Sequence, residues 1–375
     1  MPLNLVDQNG PPTLRTMAIP EPPLAMAVEL QAVACARLGS PQYATLMWEL
    51  KADYERRGDS YELLHDRPEA PIRDALVLRL LGAVHRIVLR GDAPALAARY
   101  ASAGGDGASI ALADFLAVID AHRDEVIEGL GQNVQTNEVG RCAALVLGFA
   151  EVARRSGLPL AMLEIGASAG LISNWDRYWY DTGTSTAGDP ESAVRFDDAW
   201  LDPFDVSGLT PVASRRGCDV NPLDASDPDA RRRLLSFVWP DQAQRFERLR
   251  AALALAATHR PLVDRTDAGE WLAQSLPTRG AGTATIVFHS IVWQYLSRST
   301  KDQMRAVLRD EGGRATVDRP LAWVRLEPAG EWADVRLTMW PGGEDEVLAV
   351  GTHHGAGLRR PAAGDGPSTG HVGIA

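Results

Sequence analysis

The stretch LPLAMLEIGASAGLISNWDRYW, Leu158 to Trp179, carries two chemistries at once. Gly166, Ala167, Ser168, Ala169 and Gly170 fit G-x-S-x-G, a strained turn between strand and helix that exposes a serine hydroxyl as a nucleophile. Counted from Glu164, the same residues fit an acidic-x-G-x-x-x-G turn. There the glycines let main chain approach a nucleoside cofactor while the carboxylate orients it. Ser168 is the nucleophile in the first reading and a small loop residue in the second.

The elements around the turn weigh on this choice. Before Gly157 the sequence reads as successive helices. One is expected from Pro23 to Leu38, and the next from Pro41, with Ser40 as N-cap, to Gly58. Ile72, Leu76, Leu80, Val84 and Ile87 share a helical face, the segment SIALADFLAVIDAHRDEVIEGLG repeats that pattern, and a further helix is expected from Thr136 or Asn137. After Gly157 strands alternate with helices: PLAMLEI as strand, LISNWDRYWY as helix, VASRRGCDV as strand, then a long amphipathic stretch from Asp227 to His259. RPLVDRTDA, GTATIVFHS and PLAWVRLEP supply further strands, with TKDQMRAVLRD as a helix between the last two. Such alternation implies a parallel sheet covered by helices. WADVRLTMW and EVLAVGTHH are joined too tightly for a crossover and must form an antiparallel hairpin. Residues 181–209 form an insert far longer than an ordinary loop, either a lid or decoration at the sheet edge. The Gly- and Pro-rich tail 361–375 is expected to be disordered.

A nucleophilic serine of this type needs several strands before its turn, and here the turn follows the first convincing one. Asp267 and His353 or His354 give the downstream order Ser, Asp, His, yet such triples arise readily in a chain with 49 acidic residues and 8 histidines. A dinucleotide-binding turn places its third glycine five residues after the first; Gly170 comes four after Gly166. Glu164 beside a pyrophosphate would be repelled, whereas beside an ammonium group it would be attracted. A cofactor without phosphate at that spot is favoured.

Composition narrows the partners. The chain has 375 residues, 45% apolar and 23% charged, which suits a soluble globular protein. No apolar run approaches the roughly 20 residues of a membrane span, and the N-terminus lacks the pattern of a secretion signal. A cytoplasmic protein with no membrane partner is expected. A net charge of −11 argues against nucleic acid, whose phosphates demand excess Lys and Arg, and favours a small-molecule substrate. Cys35, Cys142 and Cys218 are too dispersed for a metal site or disulfide framework and read as core residues. Oligomeric state is left open.

LEIGASAG resembles the first motif of class I S-adenosylmethionine-dependent methyltransferases, with Ser168 in place of the usual middle glycine. The terminal hairpin and HSIVWQYLSRSTKDQMRAVLRDEGG are similar to the later parts of that fold, so the resemblance runs from Asn137 to about Leu358. More narrowly, QTNEVGR, GASAGL, DRYWYD, GCDVNPLD and VWPDQ resemble a bacterial family of unknown function. The resemblance implies an α/β fold with a Rossmann-like methyltransferase sheet, mostly parallel with a terminal antiparallel hairpin (136–360); the all-helical domain read from periodicity before it (1–135) is expected to pack over and close the cofactor cleft. The resemblance also implies S-adenosylmethionine as cofactor and methyl transfer to a small molecule. The alternatives are a non-catalytic cofactor-binding or interaction protein and a serine hydrolase using Ser168.

In that frame Gly166, Ala167, Ser168 and Gly170 cradle the cofactor, Glu164 orients its ammonium group, and a helix beginning near Ala169 receives its carboxylate. Asp219 is placed to bind the ribose hydroxyls. Asp267 and Ala268 meet the adenine, or Asp267 simply caps a helix. His289 and Ser290 end a strand at the edge where ligands bind, with His289 as base. Trp293 and Tyr295 line an acceptor pocket or belong to the core, and Glu138 reaches the cleft or caps a helix. No metal is implied.

Overall fold

The computed structural model describes residues 23–362, apart from 68 and 73. The tail beyond residue 362 and the first 22 residues, on which the expectations of disorder and of no leader fall, lie outside them. The N-terminal part is helical, as expected: α1 (Leu24–Arg37), α2 (Pro41–Glu55), α3 (Asp59–Leu64), α4 (Leu76–Arg90), α5 (Pro94–Ala97), α6 (Leu112–Ala121) and α7 (Arg123–Leu130). Helix α4 starts at Leu76, so Ile72 falls outside it and is largely exposed. The helices bury their own core, with Val28, Leu46, Leu80, Val84, Phe115 and Val126 at its centre.

Helix α8 (Cys142–Ser156) leads into β1 (Leu160–Ile165), later than the expected start at residue 136 or 137, because a short 3-10 turn, Val139–Arg141, precedes it. The remaining elements are β2 (Trp179–Asp181), β3 (Thr186–Gly188), β4 (Arg195–Phe196), β5 (Val212–Asp219), α9 (Pro228–Ser236), α10 (Ala243–Thr258), β6 (Val263–Arg265), α11 (Ala268–Ser275), β7 (Ala284–Ser290), α12 (Arg298–Gly313), β8 (Leu321–Ala329), β9 (Trp332–Trp340) and β10 (Glu344–Gly351). The seven-stranded sheet has the order β10-β9-β8-β7-β1-β5-β6. Strands β8, β7, β1, β5 and β6 are parallel, and β9 and β10 continue from β8 as antiparallel strands, the expected hairpin included. From β1 the chain winds first to β5 and β6, then returns to β7 on the opposite side. The direction therefore reverses between β1 and β7, and at their carboxyl ends such sheets leave a crevice. One face of the sheet buries Phe149, Phe288, Val324 and Leu326; the other buries Val287, Trp323, Leu272, Met304 and Leu308.

Two expected elements differ. LISNWDRYWY forms no α-helix; a 3-10 segment, Ile172–Arg177, runs directly into β2. Tyr178 and Tyr180 each return their hydroxyl to a backbone carbonyl, of Leu171 and Trp175, which favours this tight chain path over a continuous helix. The stretch from Asp227 to His259 is two helices, separated around Pro240, because proline cannot continue a helix. The insert contributes to a small sheet, β3-β2-β4, whose Tyr180 and Phe196 join the core that includes α8, together with Phe204 and Val206 from the loop after it.

The helical part docks on α9 and α10. Asp241 accepts from Ser40 Oγ at 2.6 Å and from Gln42 N at 3.0 Å, so the α2 N-terminus is capped from across the junction. Ser40, expected as the cap, makes no side-chain capping bond of its own. His85 bridges Ser236 O at 3.1 Å and Ser102 Oγ at 2.8 Å. The connecting segment reaches the loop after β5, where Gln135 donates to Asn221 O, and Arg37 at the end of α1 pairs with Glu331 in the turn after β8.

Candidate functional site

At the carboxyl end of β1 the chain turns through Gly166, Ser168 and Gly170, all with positive φ, of 68°, 53° and 70°. Ser168 is the unusual member, since a side chain in the left-handed region is disfavoured. A Cβ on Gly166 would overlap Val292, and one on Gly170 would overlap Pro261. The glycines are therefore required by protein packing against the turn. Ser168 N donates to Asp219 Oδ2 at 2.9 Å, and Ser168 O accepts from Leu223 N, which ties the turn to the loop after β5.

The expected helix N-terminus near Ala169 is missing, and several backbone amides beside it already have partners. Ala167 N donates to Cys218 O, Gly170 N to Ala167 O, and Leu171 N to Asn137 Oδ1. A cofactor carboxylate therefore finds no helix end at this position. The Ser168 hydroxyl is buried and makes no hydrogen bond, so no histidine activates it as a nucleophile.

Glu164 is buried and accepts from Ser173 Oγ at 2.5 Å. Burial is the main reason its carboxyl is pushed up to about 8; Asp219 adds to the rise and Ser173 opposes it. Asp219 is half-buried, and besides Ser168 N it accepts from Asn221 N at 2.8 Å. Two carboxyls thus share the neighbourhood of the turn. A cavity of about 320 Å³ lies beside it, lined by Ala169, Leu223, Ala225, Arg260, Pro261 and Val263 among others.

Across the crevice, β7 ends in His289 and Ser290, and Ile291 follows with φ 50°. For a β-branched residue that is a true conformational outlier, of the kind that concentrates at functional sites. His289 is buried, with Nδ1 2.6 Å from Glu327 Oε1 at the end of β8. The same oxygen accepts from Val292 N at 3.1 Å and Trp293 N at 3.3 Å. Ser290 contributes its carbonyl, which accepts from Arg141 Nη1 at 3.2 Å, while Arg141 Nε donates to His353 O.

Other expected site residues are engaged elsewhere. Asp267 caps α11 through Gly269 N and Glu270 N, the simpler of its two expected roles, and takes Thr300 Oγ1 at 2.8 Å; Ala268 is buried as the first residue of that helix. Trp293 is a core residue, its ring stacked on His289 with centroids 5.6 Å apart. Tyr295 is 76% exposed and is not part of the core. Glu138 is buried, caps the turn at Gly140 N, at 3.0 Å, and pairs with Arg245. Burial opposes its ionisation, but Arg245, His354 and Arg141 outweigh that and hold its carboxyl at about 2.

Sequence reasoning missed Glu327, Arg141 and Arg245. Glu327 had a visible signal, an acid near the end of a mostly apolar strand, AWVRLEP. The three cysteines are buried and unpaired. Among the described residues no cluster of His, Cys, Asp and Glu is arranged to hold a metal, and no helix is long and apolar enough to cross a membrane.

No curated protein and no solved structure matches the chain. The model of one family, described as an uncharacterized protein conserved in bacteria (DUF2332), matches residues 25–360. That match spans the helices, the glycine turn and the β7–β8 edge alike, and the chain belongs to this family.

Proposed function

We propose that the chain binds S-adenosylmethionine at the β1–β7 crevice and transfers its methyl group to a small-molecule acceptor. The observation that carries the reading is positional: the glycine turn, Asp219 and His289 stand at the carboxyl ends of β1, β5 and β7, around the point where the winding reverses. Open α/β sheets bind their ligands there. The charge pattern suits a cationic ligand. The groups acting on the Glu164 carboxyl are Ser173 and Asp219, neither of them a cation, so an arriving ammonium group would supply a counter-charge.

In this reading Asp219, half-exposed, accepts from the ribose hydroxyls while still holding Ser168 N. Glu164 faces the ammonium group through its short bond with Ser173. The cofactor supplies a methyl group already activated by the sulfonium charge. What remains for the protein is alignment, which can be worth about 7–11 kcal/mol in favourable geometries, and acceptance of a proton by His289.

Packing of Val292 and Pro261 against the turn favours one second reading, a non-catalytic interaction protein built on the same sheet. Calorimetric titration of the full chain with S-adenosylhomocysteine separates the two. The methyl-transfer reading expects saturable binding that is lost in Asp219→Ala and kept in Asp267→Asn. Absence of binding to the wild-type chain removes it.

A further inference from the structure

Two buried histidines of this chain make an informative contrast. His85 uses both ring nitrogens, one toward Ser236 O and one toward Ser102 Oγ. His289 uses only Nδ1, toward Glu327, and its Nε2 is buried without any hydrogen-bond partner. Glu327 Oε2 is likewise buried and unpartnered. An unmade hydrogen bond inside a protein costs on the order of 1–3 kcal/mol, so two on one pair of side chains call for an explanation.

The surroundings supply one. Glu327 Oε1 accepts from His289 and from the amides of Val292 and Trp293, so a single carboxylate fixes the imidazole and the strained turn after β7 together. That turn touches both halves of the crevice, with Val292 against Gly166 and Trp293 stacked on His289. A carboxylate accepting at Nδ1 keeps the proton on that nitrogen and leaves the lone pair on Nε2. The imidazole is thereby set as a proton acceptor at the nitrogen that has nothing to accept from.

We infer that Glu327 is a positioning residue that holds His289 as a proton acceptor, and that the acceptor substrate presents a protonated nucleophile, an O–H or N–H, to Nε2. The identity of the step rests on the methyl-transfer reading; the dyad itself does not. In that step the nucleophile's electron pair forms the bond to the methyl carbon, the carbon–sulfur pair returns to sulfur, and the nucleophile's proton passes to Nε2. Nδ1–H stays on Glu327 throughout, and solvent later takes the proton from Nε2.

Long-range proton–nitrogen NMR on the histidine-labelled full chain reads the ring protonation of His289 directly. The dyad predicts Nδ1–H with an unprotonated Nε2 in the wild type, a lost or mixed Nδ1–H signal in Glu327→Leu, which offers Nδ1 no acceptor, and recovery in Glu327→Asp, with the remaining histidine signals unmoved, which excludes unfolding. A wild-type His289 protonated at Nε2, or a Glu327→Leu chain with unaltered ring protonation, overturns the proposal. Titration of the same variants with S-adenosylhomocysteine tests the cofactor separately. A Glu327-dependent Nδ1–H on His289 in a chain that binds no S-adenosylhomocysteine keeps the dyad and removes the methyl-transfer reading.

Discussion

Ser168 is the residue on which the alternative chemistries divide, and its backbone gives the argument. It sits at φ 53° with a buried hydroxyl that bonds to nothing, while its amide is held by Asp219. A left-handed side chain costs about 1–2 kcal/mol relative to glycine, and the unpartnered hydroxyl adds to that. Ser168→Gly is therefore expected to raise unfolding free energy by about 1 kcal/mol in a urea melt and to leave S-adenosylhomocysteine binding in place. A nucleophilic serine would instead make the same variant lose its reaction with a fluorophosphonate. Glu164, Asp219 and His289 could be picked out from the sequence because each closes or adjoins a strand. Glu327, the partner of His289 on the neighbouring strand, needed the register of β8 against β7 before its proximity to His289 had meaning.

At the scale of elements, the sheet and its helices followed periodicity closely, and the departures have local causes. The segment after the glycine turn has helical composition, yet the tyrosine hydroxyls of Tyr178 and Tyr180 bind carbonyls that an α-helix would have used. The start of α2 shows the reverse case. Ser40 and Pro41 mark the terminus correctly, but the capping oxygen comes from Asp241, 199 positions from the Gln42 amide it accepts. Asp241→Ala removes two hydrogen bonds at once and is expected to cost about 1–2 kcal/mol. Its effect should appear as faster hydrogen exchange in the first turn of α2, with the β1 amides unchanged.

For the molecule as a whole, the junction between the helices and α9–α10 is where stability should respond to acid. Burial is the chief cause that lowers the His85 imidazole from 6.5 to about 4, against smaller opposing effects of backbone carbonyls. The folded chain therefore binds this proton less readily than the unfolded chain does. The contribution of His85 is complete above pH 6.5 and is lost as pH falls from there toward about 4. Urea midpoints should drop across that window in the wild type and drop less in His85→Gln. An unaltered slope in the variant would place the acid sensitivity elsewhere.

The sequence by itself determined the order of helices and strands, the terminal hairpin, the position of the glycine turn and the strand-end residues Asp219 and His289, because hydrophobic period, glycine and proline act over a few neighbouring residues. Only the tertiary structure decided that the amides of Ala167, Ser168, Gly170 and Leu171 bond within the protein, that Asp267 caps α11, that the helices dock on α9 and α10, and that Glu327 holds His289. Those outcomes depend on which groups meet across long separations in the chain, where hydrogen-bond partners are set by sheet register and packing and no local pattern records them.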